Sequence, residues 1–139
     1  MSIEDLSGVE PVIEIPQAKS RVVTDLDFNA EGKQISYLRI PHSRNSSAWG
    51  RLLIPIVQFK NGDGPTVLLT GGIHGDEFEG PVALIKLIQR LKLENVSGRI
   101  IILPAVNLPA HLQTTRLSPL DNIDLNRCFP GKRDGSITQ

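Results

Sequence analysis

His74 and Glu77 stand three positions apart in Gly71-Gly72-Ile73-His74-Gly75-Asp76-Glu77, a stretch bracketed by glycines. An imidazole nitrogen and a carboxylate oxygen are both good zinc ligands. The glycines leave the backbone free to fold so that the two side chains converge. Asp76 is a candidate outer partner, because a ligating histidine usually donates its second N–H to an acceptor. His-x-x-Glu is a short pattern, and spacing alone favours a histidine hydrogen-bonded in a loop and a glutamate opening a helix. A position at a strand end, after two glycines, brings the metal reading level with that one. A phosphate cradle fits poorly. No Gly-Lys-Ser/Thr follows, and Asp76, Glu77 and Glu79 would repel the anion.

A second group is Asp124-Leu125-Asn126-Arg127-Cys128-Phe129-Pro130-Gly131, with Arg116 upstream. A guanidinium forks onto a carboxylate through two parallel hydrogen bonds, and it also stabilises the oxyanion formed when a carbonyl is attacked. Taken alone, these residues read more simply as a loop held by an Asp124–Arg127 contact. Cys128 reads as a small buried residue and Trp49 as packing. His42, Arg44 and His111 have no partner legible in the sequence.

The elements that must position these groups follow from local pattern. Thr66 to Thr70 and Arg99 to Leu103 are short apolar runs of the kind found in strands buried on both faces. Between them, residues from about Glu79 to Lys92 read as a helix. Pro81 lies in its first turn, where a missing N–H costs nothing. Leu84, Leu87, Ile88 and Leu91 share one face. Acidic residues gather at its start, and Lys86, Arg90 and Lys92 toward its end, as the helix dipole favours. Strand, helix, strand over this length is a βαβ unit with parallel strands. Ligands gather beyond the C-terminal ends of such strands. That puts His74 and Asn107, which follow the two runs, on one rim.

Upstream, Arg21 to Phe28, Gln34 to Ile40 and Leu52 to Phe59 are strand candidates. Pro55 sends the third to an edge or a bulge. Asn29 to Lys33 and Asn61 to Pro65 are turns. The expected fold class is α/β, with a mainly parallel or mixed sheet and a β-rich N-terminal portion.

Composition excludes several classes. Lysine plus arginine and aspartate plus glutamate both number 15, so no net charge draws the chain to nucleic acid or an acidic membrane. No apolar run approaches the ~20 residues of a membrane span. One cysteine cannot form an internal disulfide, and no basic, apolar leader opens the chain. The expectation is a cytoplasmic protein.

The order and spacing of Gly72-Ile73-His74-Gly75-Asp76-Glu77, Asn107, Arg116 and Asp124-Leu125-Asn126-Arg127 resemble the succinylglutamate desuccinylase and aspartoacylase family, relatives of the zinc carboxypeptidases. The match spans roughly residues 66–131. Pro41 to Asn45, Trp49-Gly50 and Phe129 to Gly135 are similar to a narrower branch, which contains N-acetyl-diaminobutyrate deacetylases of ectoine breakdown. The resemblance implies a zinc carboxypeptidase-like mixed sheet with flanking helices. It implies one zinc per complete site, with His74 and Glu77 as ligands, and Arg116 polarising the scissile carbonyl. Asn126 and Arg127 would hold the carboxylate of a small N-acyl amino acid, and Asn107 would line the pocket.

That family's second histidine ligand and its glutamate base lie downstream of the Asn-Arg pair. The chain reaches Gln139 without either, and no glutamate follows Glu94. His111 falls where the family has no ligand. Residues 134–139 read as a helix N-cap. The expectation is therefore a truncated chain. Residues 1–20 would be a loosely ordered lead-in, draped over the body or an oligomer partner. Residues 21–139 would be the N-terminal part of a catalytic domain, inactive alone, with zinc absent or loosely held. Two alternatives stay open: a carboxypeptidase-like peptide hydrolase, and a non-catalytic binding module of the same fold.

Overall fold

The computed structural model describes residues 21–43, 45 and 48–139. The expected lead-in over 1–20 and Arg44 lie outside the described residues. Among the described residues four strands form one mixed sheet in the order β1-β2-β4-β3: β1 (Gly32–Pro41), β2 (Arg51–Asn61), β3 (Thr66–Thr70) and β4 (Gly98–Leu103). β1 pairs with β2, and β2 with β4, antiparallel; β3 pairs with β4 in parallel, Thr66 opposite Arg99 and Thr70 opposite Leu103. Helix α1 (Glu79–Arg90) joins the parallel pair, so the βαβ unit read from the sequence is present.

Helix α1 covers one face of the sheet. Val57, Phe59, Val96 and Ile102 form the buried centre, and Leu84, Leu87, Ile88 and Leu91 pack against it, the four positions that share a face at helical spacing. Lys33 donates to the Ile88 carbonyl at 2.9 Å and lies over the Phe59 ring, closing the cluster at the β1 side.

Three local readings change. Arg21 to Phe28 is not a strand; only Val23 bridges to Arg39 in β1, and an Arg39–Asp25 ion pair adds to that tether. The physical reason lies in the sheet. Gln34 and Gln58 are directly opposite each other in β1 and β2. Both side-chain amides donate to the carbonyls of Asp27 and Ala30, which folds the segment into a turn instead of a ladder. Pro55 lies in an interior strand, not an edge strand. β4 pairs with Val57–Asn61 of β2, so among the described residues Pro55 sits in the stretch that has β1 alone as a neighbour, where a missing N–H is tolerated. β3 is not buried on both faces. Among the described residues it lies at the end of the sheet, and Val67 and Leu68 are 44% and 61% exposed.

Trp49 is exposed rather than packed, and Cys128 is only partly buried. No helix among the described residues is long and apolar enough to cross a membrane.

Candidate metal and substrate site

The two parallel strands end side by side, and their continuations are laced together. Gly71 N–H donates to the Leu103 carbonyl, Val106 N–H to Gly71 and Asn107 N–H to Gly72, at 2.9 to 3.0 Å. The buried Asn107 side chain donates to the Ile73 carbonyl at 3.1 Å. A short helix α2 (Leu108–Gln113) follows Asn107 and packs under the turn that carries His74. Gly75 N–H donates to Thr115 just beyond it, at 2.9 Å.

The glycines have distinct reasons. Gly72 has φ of +67°, a region costly to residues with a side chain. Gly75 is pressed against α2 so closely that a β-carbon there would lie 2.1 Å from the Ala110 carbonyl carbon.

His74 is buried at the rim these contacts create. Its Nδ1 lies 3.0 Å from Glu77 Oε1, and its Nε2 lies 3.0 Å from Asp124 Oδ1. A neutral imidazole carries one ring proton. Whichever nitrogen holds it, the other turns a lone pair on a carboxylate that can only accept. A second proton or a bound cation resolves that conflict. Asp124, with its side chain 18% exposed, is the drier partner; that of Glu77 is 60% exposed. The hydrogen bond to Asp124 is thus the one worth keeping, which leaves Nδ1 and Glu77 as the pair open to a cation. Two donors on a tetrahedral zinc lie about 3.3 Å apart, given bonds of ~2.0–2.1 Å. The pair therefore fits zinc in both chemistry and spacing. No group of three or more metal-binding His, Cys, Asp or Glu side chains occurs among the described residues.

Arg116 completes the cluster. Its Nη1 is 3.5 Å from Glu77 Oε1 and its Nε is 4.0 Å from Asp124 Oδ2, with half of the side chain exposed. Burial pushes the Asp124 carboxyl up. Hydrogen bonds from His74 and the Asn126 N–H, with the charges of His74 and Arg116, outweigh it and hold the group below the ordinary carboxylate value.

Asp124 also caps the 3-10 turn Leu125–Arg127, accepting from the Asn126 N–H at 3.0 Å. One carboxylate therefore orients His74 and winds the turn that carries Asn126 and Arg127. Both of their side chains are exposed.

His74, Glu77 and Arg116 come together as the sequence suggested. Asn107 lies beneath them, its amide committed to Ile73. Asp76 does not act as outer partner, because both ring nitrogens of His74 already face Glu77 and Asp124; Asp76 is exposed. The side chain of Asp124 turns to His74 and Arg116 rather than to Arg127, whose contact with Asp124 is through backbone atoms. Asp124 lies 50 positions from His74, and no periodicity in the chain connects them.

Comparison with known proteins agrees with this architecture. Residues 63–139 match the succinylglutamate desuccinylase/aspartoacylase catalytic domain, and the chain belongs to that family. Over 123 residues it is 50% identical to the N-alpha-acetyl-L-2,4-diaminobutyric acid deacetylase of Halomonas elongata, covering 88% of this chain and 36% of that protein. Among solved structures, a succinylglutamate desuccinylase/aspartoacylase from Rhodobacter sphaeroides shares 57% identity at a TM-score of 0.82, over 86% of this chain and 37% of that one. The product-bound ectoine utilization protein EutE (DoeB) of Ruegeria pomeroyi shares 48% identity at a TM-score of 0.83, over 87% and 37%. The chain thus spans little more than a third of the length of these relatives.

Proposed function

We propose that this chain carries part of the active site of a zinc-dependent amidohydrolase that removes the acyl group from an N-acyl amino acid, with N-acetyl-diaminobutyrate as the favoured substrate. The observation that carries the reading is the facing pair of His74 Nδ1 and Glu77 Oε1, 3.0 Å apart, with Nε2 committed to Asp124. The 50% identity to a diaminobutyric acid deacetylase supports the choice of substrate. Residues 21–139 are then the N-terminal part of one catalytic domain, working in the cytoplasm.

His74 and Glu77 would hold the metal. When bound, zinc supplies Lewis acidity, polarising a carbonyl oxygen and making water nucleophilic near neutral pH. The chain's own residues do the rest of the work assigned here. Asp124 keeps the His74 ring in one orientation and one tautomer. Arg116 donates to the oxygen of the scissile carbonyl as negative charge develops there. Arg127 forks onto the substrate carboxylate and Asn126 donates to it, both presented on the turn that Asp124 caps. Asn107 acts from below by fixing the Ile73 carbonyl. The mechanism needs a third protein donor and a general base, and the described residues around His74 do not supply them. Hydrolysis by residues 1–139 alone is therefore expected to be negligible, since general acid–base help is worth ~10²–10⁴-fold.

The test is His74→Ala. In the full-length protein the variant should lose most bound zinc and most hydrolysis of N-acetyl-diaminobutyrate. Undiminished zinc in metal analysis would overturn the assignment. Preference for peptides over the acetylated amino acid would shift the substrate class to that of a carboxypeptidase.

A further inference from the structure

His111 is a titratable side chain packed against the His74–Glu77 turn that the proposed chemistry leaves unused. It sits on α2, and its Nδ1 lies 2.8 Å from the Gly75 carbonyl oxygen. A backbone carbonyl only accepts, so Nδ1 carries a hydrogen and donates it. The ring stacks on Phe78, with centroids 5.1 Å apart and planes at 21°. Its Nε2 is buried with no hydrogen-bond partner among the described residues and lies against Gly72, where a β-carbon would come within 2.8 Å. One imidazole thus touches the chain before the His74–Glu77 turn, inside it and just after it.

The turn depends on such outside contacts. Its own closing bond, from Glu77 N–H to the His74 carbonyl, is 3.5 Å long, at the limit of a useful hydrogen bond. By contrast, both polar groups of Gly75 are taken from outside at short range. Its N–H goes to the Thr115 carbonyl at 2.9 Å, and its carbonyl accepts from His111 at 2.8 Å. Gly75 and Asp76 are the two residues between His74 and Glu77, so fixing both peptide planes of Gly75 sets how His74 leaves the backbone and limits the path the chain takes to Glu77.

We infer that His111 is a positioning residue for the metal pair: its Nδ1–H and its ring face fix the turn so that His74 and Glu77 present their donor atoms side by side. The inference rests on the reading of His74 and Glu77 as metal ligands. A flat ring with an N–H on the edge next to Cγ is what the site uses. Phenylalanine keeps the stack and loses the donor. Asparagine places an amide N–H at the same distance along the side chain and loses the stack.

The experiment is titration of the purified chain with zinc alone, by calorimetry or competition with a chromophoric chelator, beside thermal unfolding of every variant. His111→Phe should bind zinc about three- to tenfold more weakly, the equivalent of one buried hydrogen bond. His111→Asn should recover most of that loss. His74→Ala is the reference. If it leaves zinc binding unchanged, the metal reading and the inference fall together. If it weakens binding while His111→Phe binds zinc like the parent, the metal reading stands and the inference is overturned. Should His111→Phe fail to fold, His111→Asn decides: binding within about threefold of the parent supports the donor's role, and any greater loss overturns it.

Discussion

Replacing Gly75 with alanine tests the packing that holds the site. The added β-carbon would lie 2.1 Å from the Ala110 carbonyl carbon, 2.2 Å from its oxygen and 2.5 Å from the His111 nitrogen. Ordinary contact begins near 3.4 Å, so the turn and α2 must separate by 3.4 − 2.1 = 1.3 Å at the closest point. All three atoms belong to backbone, and no rotamer change relieves them. Overpacking a core typically costs ~1–3 kcal/mol, and a clash against rigid backbone belongs at or above the top of that range. For a domain of this size ~3 kcal/mol lowers Tm by roughly 6–18 °C. The same separation would stretch the Gly75–His111 and Gly75–Thr115 hydrogen bonds, so zinc binding should fall along with stability. Gly80→Ala is the control. Its β-carbon meets nothing closer than 3.6 Å, and it lies in the first turn of α1, so the change should be neutral or stabilising by up to ~1 kcal/mol. Urea unfolding with a circular dichroism readout measures both variants. A Gly75→Ala protein within about 0.5 kcal/mol of the parent would show that the turn and α2 are not in the contact described.

Asp124→Ala should lower zinc affinity by about 10–100-fold, the usual loss when the partner of a ligating histidine is removed; equal affinity in a zinc titration would detach Asp124 from the site. Arg127→Lys should raise KM for an N-acyl amino acid in a full-length enzyme with kcat little changed, because a lysine lacks the planar fork; an equal fall in kcat and kcat/KM would assign Arg127 to the oxyanion instead. Asp121 governs an acid transition. Burial raises its carboxyl, but hydrogen bonds from Ser136, Thr138 and Ile123 outweigh it and hold the group below its ordinary 3.8. Its contribution to stability is therefore complete above that value and is lost as pH falls through the lower folded one. The stability gap between the parent and Asp121→Asn should be constant above about pH 5 and shrink below about pH 4; a gap independent of pH down to 2 would contradict this, read from unfolding curves at each pH.

Local pattern along the chain was enough for the framework of the site. Apolar runs at 66–70 and 99–103 and a helical stripe at Leu84, Leu87, Ile88 and Leu91 made the βαβ unit, because burying one helix face on parallel strands is the way to cover all three. With the unit came the rim at Gly71–Glu77, and the spacing of His74, Glu77, Arg116 and Asp124-Leu125-Asn126-Arg127 was enough for the family. The partners of each side chain came from how the packed elements meet. Which carboxylate meets His74 depends on a loop 50 residues away, and Asp124 reaches the ring while neighbouring Asp76 does not. The end position of β3 and the fate of Arg21–Phe28 likewise follow from strand order and from two glutamines opposite each other in β1 and β2. His111 gave no signal in the chain, because its meaning lies in touching Gly72, Gly75 and Phe78 at once. Contacts across such separations are chosen by how packed elements meet, and hydrophobic period and local propensity carry no record of that choice.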